Sequence, residues 1–177
     1  MTRQVVVIGS LNVDQSLHIQ TLPQPGETIE MTAFSKAAGG KGANQAVSSA
    51  RLGADVAMIG KVGADANGQF MQQVLADAHI DITGVKVDSQ TETGQVYILL
   101  QASGQNSIII QHGANFTLTA AQVQTQRQLI QHAEVTIAQL EVTTSTIIAG
   151  FTVAREAHRL TMLNPAPAAP IPAESLA

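Results

Sequence analysis

Ala37-Ala38-Gly39-Gly40-Lys41-Gly42-Ala43-Asn44-Gln45-Ala46 is the stretch from which the rest of the chain can be read. Gly39, Gly40 and Gly42 crowd together around Lys41. Without a Cβ, such residues take backbone angles closed to others and let another group approach the main chain. From Gly42 onward Ala43, Ala46, Val47, Ala50 and Leu52 recur at helical spacing, and Gly53 supplies a stop. A glycine turn opening a helix is expected. The start of a helix carries unpaired N–H groups and a partial positive charge, which suits an oxygen-rich ligand. Lys41 adds a cation, and Asn44 adds an amide that both donates and accepts. A plain glycine turn before a buried helix accounts for the same residues without a ligand. The stretch is not a P-loop, because the Gly-x-x-x-x-Gly-Lys spacing and the following Ser or Thr are missing. No Gly-x-Gly-x-x-Gly follows a strand either.

On both sides of this stretch the pattern alternates between strand and helix. Val5-Val6-Val7-Ile8 is a continuous β-branched run, the signature of a strand buried on both faces in a parallel sheet. Residues 55–60, 80–87, 135–140 and 160–163 read as further strands. Residues 69–78, 119–132 and 145–159 read as helices, with Asp65 placed to cap the first of them. The alternation predicts an α/β fold with a mostly parallel central sheet flanked by helices. Two other regions repeat with a period of two instead. Residues 16–20 and 28–35 flank a Pro- and Gly-containing turn, and residues 93–101 and 106–111 flank Ala102-Ser103-Gly104-Gln105. Such alternation predicts a sheet with one covered face and one wet face. Segments at about 14–35 and 93–111 are therefore assigned to a small separate β-sheet inserted in the α/β layer.

In open α/β sheets, ligands gather beyond the carboxyl ends of the strands. Asn12 and Asp14 stand just past the first strand, two residues apart and hence on one face if extended. An amide and a carboxylate together suit neighbouring sugar hydroxyls, and a simple strand-end turn would use the same residue types. Glu141 stands at the carboxyl end of the 135–140 strand and at the expected start of the next helix, where the helix dipole alone would favour a carboxylate.

Other chemistries are excluded more simply. There are no cysteines, and the five histidines show no ligand spacing, so no metal site is expected. A net charge of −4 without a Lys/Arg cluster argues against nucleic acid. Aromatic residues make up only 3%, too few for base-stacking platforms. No apolar run is long enough to span a membrane, and the first residues carry no secretory pattern. A cytoplasmic protein without a membrane partner is expected.

The run from Gly39 to Gly63 resembles the first signature of the ribokinase-type carbohydrate kinases. It has Gly-Gly-Lys-Gly-Ala-Asn-Gln-Ala, then Leu52-Gly53-Ala54, then Ile59-Gly60-Lys61-Val62-Gly63. The resemblance extends from Val5 to about Pro167. It implies sugar-binding roles for Asn12, Asp14, Gly39, Gly40, Lys41, Asn44 and Glu141, with Gly39 and Gly40 as a hinge. It implies that the small sheet is a lid that folds over the sugar and pairs with a second subunit in a homodimer. The implied activity is ATP-dependent phosphorylation of D-ribose at O5, with Mg2+ and a monovalent cation. In that family a Gly-Ala-Gly-Asp motif in the C-terminal half supplies the general base and the anion hole, beside the nucleotide site. That motif is absent from these 177 residues, whose last strand leads into an Ala/Pro-rich tail where a returning helix barely begins. The expectation is the N-terminal, sugar-binding part of a truncated kinase, inactive alone, with ATP and Mg2+ held by a C-terminal part that is absent. A non-catalytic sugar-binding or dimerising fragment stays open as an alternative. So does a sister kinase acting on fructose or a nucleoside.

Overall fold

The structure is a computed structural model that describes residues 4–171. In chain order its elements are β1 (Gln4–Ile8), β2 (Asn12–Ile19), β3 (Met31–Gly39), α1 (Lys41–Arg51), β4 (Asp55–Gly63), α2 (Ala66–Asp77), β5 (Asp81–Asp88), β6 (Gly94–Gln101) and β7 (Asn106–Gln111). A 3-10 turn (Gly113–Thr117), α3 (Ala120–Gln124), α4 (Arg127–His132), β8 (Val135–Gln139), α5 (Thr144–Glu156) and β9 (Leu160–Asn164) follow. The central sheet is parallel throughout, in the order β5-β4-β1-β8-β9.

The unbroken β-branched run of β1 is explained by its place in the middle of that sheet. Val6 and Ile8 face one layer, where they pack with Ala57, Ile59, Val123, Ile130, Ile147 and Phe151 beneath α3, α4 and α5. Val5 and Val7 face the other, packing with Val56, Met58, Ala43, Ala46, Met71 and Leu75 beneath α1 and α2. A strand covered on both sides has no position left for a polar residue.

The second sheet has the order β3-β2-β6-β7. β2 pairs antiparallel with β3 and parallel with β6, and β6 pairs antiparallel with β7. Both segments assigned to it from the sequence are in it. The strands differ in extent from their period-two signal. β2 already begins at Asn12 and β3 runs from Met31 to Gly39, whereas 28–30 are outside any strand. The expected covered face is missing along β3, where every residue from Met31 to Ala37 is exposed. β3 is one of the two edge strands of this sheet, and β7, the other, is likewise exposed except at Ser107. The last residues of β3 alone approach α2, where Lys36 Nζ lies 4.9 Å above the Phe70 ring.

Two helix expectations are also corrected. Residues 119–132 do not form one helix. Thr119 and Gln122 close a capping box on α3, the Thr125 hydroxyl donates back to the Gln122 carbonyl at 2.6 Å, and the chain restarts as α4 at Arg127. Hydroxyl back-bonding of this kind competes with the helix ladder. The helix after Glu141 begins only at Thr144, so Glu141 is not its first residue. Asp65 does cap α2, accepting from the Gly68 N–H at 2.7 Å. The returning helix expected at the tail falls largely on residues 172–177, outside the described residues. Among the described residues no helix is long and apolar enough to cross a membrane.

Phe151 is 2% exposed and fills the centre of the α5 layer. Truncation to alanine should lower the unfolding free energy by about 3–5 kcal/mol. Urea denaturation followed by circular dichroism checks this, with native secondary structure retained before the transition.

Candidate functional site

The site is built on Glu141, two residues beyond β8 and 7% exposed. One of its oxygens, Oε2, accepts the Ser10 hydroxyl at 2.5 Å and the Lys41 backbone N–H at 2.9 Å. The other, Oε1, lies 3.2 Å from Lys41 Nζ. Ser10, fully buried just past β1, also accepts: its hydroxyl from the Gly42 N–H at 3.2 Å and its carbonyl from the Ala43 N–H at 2.9 Å. The opening N–H groups of α1 are thus filled from within the chain. The free donors expected at this helix start are not available to a ligand. The helix dipole that Glu141 serves is that of α1 and not that of the helix following it in the chain.

The glycines make this close assembly possible. Gly40, the residue capping α1, has a φ of 90°, in the region that favours glycine. A Cβ at Gly42 would fall 2.5 Å from the Ser10 nitrogen, so α1 starts in direct contact with the end of β1. A Cβ at Gly39 would collide with the Asp14 carboxylate, which leans over this position from the neighbouring strand β2.

Asp14 and Glu141 have environments that push their carboxyls apart. Burial raises the Asp14 pKa, the Glu141 charge raises it further, and Lys41 partly offsets both. Burial also pushes Glu141 up, but the bonds from Ser10 and Lys41 outweigh it and hold this carboxyl below its ordinary value. Two carboxylates and one ammonium therefore share the junction between the two sheets. Such a set offers acceptors and a donor to a ligand rich in hydroxyls.

Of the residues named from the sequence, Asp14, Gly39, Gly40, Lys41 and Glu141 come together here. Asn12 adjoins them on the same face of β2 as Asp14, and is 3% exposed. Its Oδ1 accepts from Asn115 Nδ2 at 2.7 Å. Asn44 is placed differently. It is exposed on α1 and lines a shallow groove with Ala38, Val47, Arg51 and Val74. Ser10 and Asn115 were not singled out from the sequence. Their partners lie 131 and about 104 residues away, beyond any local signal. An ion pair was missed for the same reason. Lys61 Nζ sits 2.9 Å from Asp88 Oδ2 and donates to the Thr117 carbonyl at 3.1 Å, and the Thr117 hydroxyl donates to Asp88 at 2.6 Å. The bond from Lys61, then those from Thr117 and the Gln90 N–H, hold the Asp88 carboxyl far below the usual carboxylate range. This cluster ties the β4 and β5 ends to the 3-10 turn, where the chain returns from the small sheet. Among the described residues, no three His, Cys, Asp or Glu side chains are grouped to hold a metal ion.

Residues 2–174 match the pfkB family of carbohydrate kinases, and the chain belongs to that family. Ribokinase of Staphylococcus aureus (strain COL) is 42% identical over 177 residues, 99% of this chain and 58% of that protein. Ribokinase of Bacillus subtilis (strain 168) is 36% identical over 179 residues, 98% of this chain and 59% of that one. Among solved structures, Arabidopsis thaliana ribokinase complexed with ribose and ATP superposes with a TM-score of 0.93 at 33% identity, covering 99% of this chain and 58% of that one. The chain thus spans somewhat over half the length of these relatives.

The two carboxylates should leave opposite marks on stability. The Glu141 pKa is lowered on folding, so its contribution is complete above its unfolded value of 4.5 and is lost as pH falls through the folded value. The Asp14 pKa is raised from 3.8, so its contribution is complete below that value and is lost as pH rises through the folded value, leaving a buried charge that opposes folding at neutral pH. Thermal melts across pH should show Glu141→Gln less stable than wild type at pH 7, with a shallower acid limb. Asp14→Asn should be more stable than wild type at pH 7.

Proposed function

We propose that the intact protein phosphorylates D-ribose at O5 with ATP, and that these 177 residues supply its sugar-binding part and lid. The observation that carries this reading is the gathering of Asp14, Lys41 and Glu141 between the two sheets, where an α/β sheet holds its ligands. It is supported by relatives that are ribokinases and by one solved with ribose and ATP.

The roles follow from the chemistry of the groups. Asp14 accepts from neighbouring ring hydroxyls, and a carboxylate is the strongest acceptor available for them. Lys41, held at both ends by Glu141, donates from its ammonium. Glu141 takes a sugar hydroxyl beside Lys41. Asn12 contributes an amide, Asn44 offers a second from the groove it lines beside Ala38, and Gly39 and Gly40 serve as the hinge of the lid. Phosphoryl transfer needs, in addition, an aligned base and charge stabilisation at the moving phosphate. The family's Gly-Ala-Gly-Asp motif would provide these, and it has no counterpart here. ATP, Mg2+ and a monovalent cation belong with that further part in our reading, and the protein works in the cytoplasm. Ile108, Ile109 and Ile110 on β7 and Met31 and Phe34 on β3 are all exposed, so the small sheet is the surface for a homodimer.

A coupled ADP-release assay on the intact protein with ribose, fructose and a nucleoside tests the reading. Ribose should be preferred, and Asp14→Asn should lower kcat/KM by about 100-fold, the loss of charged hydrogen bonds. The 177-residue chain alone should give no turnover. Unchanged kcat/KM in Asp14→Asn, or preference for fructose, would overturn the assignment. Sedimentation of the intact protein should show a dimer, lost when Ile109 is replaced by aspartate.

A further inference from the structure

Asn115, in the 3-10 turn after the small sheet, is 1% exposed and bonded on every side. Its Oδ1 accepts the Leu11 N–H at 2.8 Å. Its Nδ2 donates to the Leu11 carbonyl at 3.3 Å, the His112 carbonyl at 3.0 Å and Asn12 Oδ1 at 2.7 Å. These partners settle which way the Asn115 amide points. A backbone N–H can only donate and a carbonyl can only accept, so the oxygen must face Leu11 N–H and the nitrogen must face the carbonyls. The Asn12 atom that meets Asn115 Nδ2 must then be an acceptor. The Asn12 amide is thereby fixed with its oxygen inward and its NH2 turned away from Asn115, on the face of β2 that carries Asp14. That NH2 donates to no protein group among the described residues. Gly94 makes the arrangement possible, because a Cβ there would collide with both Asn12 Oδ1 and Asn115 Nδ2.

We infer that Asn115 is a positioning residue. It holds Asn12 as a pure hydrogen-bond donor toward the sugar, beside the pure acceptor Asp14. The inference rests on the sugar-site reading above. Donor and acceptor in fixed places select a ligand whose adjacent oxygens accept at one and donate at the other, as a vicinal diol does. An Asn12 free to turn would offer its oxygen to the diol half of the time and halve the competent fraction.

The test is a double-mutant cycle in the affinity for D-ribose, measured by titration calorimetry on the intact protein. Asn12→Ala should weaken binding about tenfold, the loss of one hydrogen bond. Asn115→Asp places an acceptor opposite Asn12, reverses its amide and should cost about the same factor. The double variant should bind no more weakly than Asn12→Ala alone. A purely structural role for Asn115 predicts losses that multiply, and that outcome would overturn the inference while leaving the sugar site intact. If Asn12→Ala and Asp14→Asn both bind ribose like wild type, or wild type does not bind it, the site reading itself falls and takes this inference with it. A second measurement needs no variant. With 15N-labelled asparagine, ribose should shift the Asn12 side-chain NH2 resonances and leave those of Asn115 in place. Movement of Asn115 with Asn12 unmoved would overturn the inference.

Discussion

Everything at the junction of the two sheets depends on one buried carboxylate. Glu141 receives the Ser10 hydroxyl, the first N–H of α1 and the Lys41 ammonium, and so joins the ends of β1 and β8 to the start of α1. Taking a carboxylate out of water is costly, and it persists in proteins only where several donors converge on it. Here a helix N-terminus, a hydroxyl and an ammonium do so. The same charge also raises the Asp14 pKa from across the junction. The stability of the central sheet's functional end and the electrostatics of the candidate site are therefore set by a single group.

The small sheet is tied to this junction by hydrogen bonds from polar side chains. Asn115 clasps Leu11 and Asn12 where the chain enters β2. Asp65 takes the N–H and hydroxyl of Thr93 where it enters β6. Lys61 and Asp88 hold the turn where it comes back. The apolar clusters, by contrast, belong to the central sheet and its helices, and among the described residues the small-sheet strands reach them through Val13 of β2 and half-buried Ala38 of β3. Polar ties at the seams and apolar packing within the central layer give the two sheets different mechanical characters.

Much of this was legible in the sequence because it is written in periods. The β-branched run at Val5 to Ile8 and the period-two segments around Leu17 and Ile109 separated the two sheets correctly, since burial on two faces or one leaves a different pattern. Gly39 to Asn44 marked the start of α1, and Asp14 and Glu141 were singled out. What escaped were relations between distant residues. Nothing near Ser10 announces that its hydroxyl will meet Glu141, and nothing near Asn115 points to Asn12. The exposure of β3 was misread because alternation reports which residues share a face, not whether anything covers it. The break at Thr125 was missed because a helical pattern continues through it, while one hydroxyl bond redirects the backbone.

The pairing of β2 with β6 carries a consequence for how the chain reaches this structure. Gln15 Nε2 donates diagonally across that pair to Gln95 Oε1, 80 residues away. The two outer pairs of the small sheet, β2 with β3 and β6 with β7, each join strands that are consecutive in the chain, over residues 20–30 and 102–105. Their joining is not local, and a contact of such separation carries a large loop-closure cost until other structure has brought its ends together. The small sheet is therefore two local hairpins held together by one long-range seam, and opening that seam alone would split it into two units, each still anchored at its own end to the central layer.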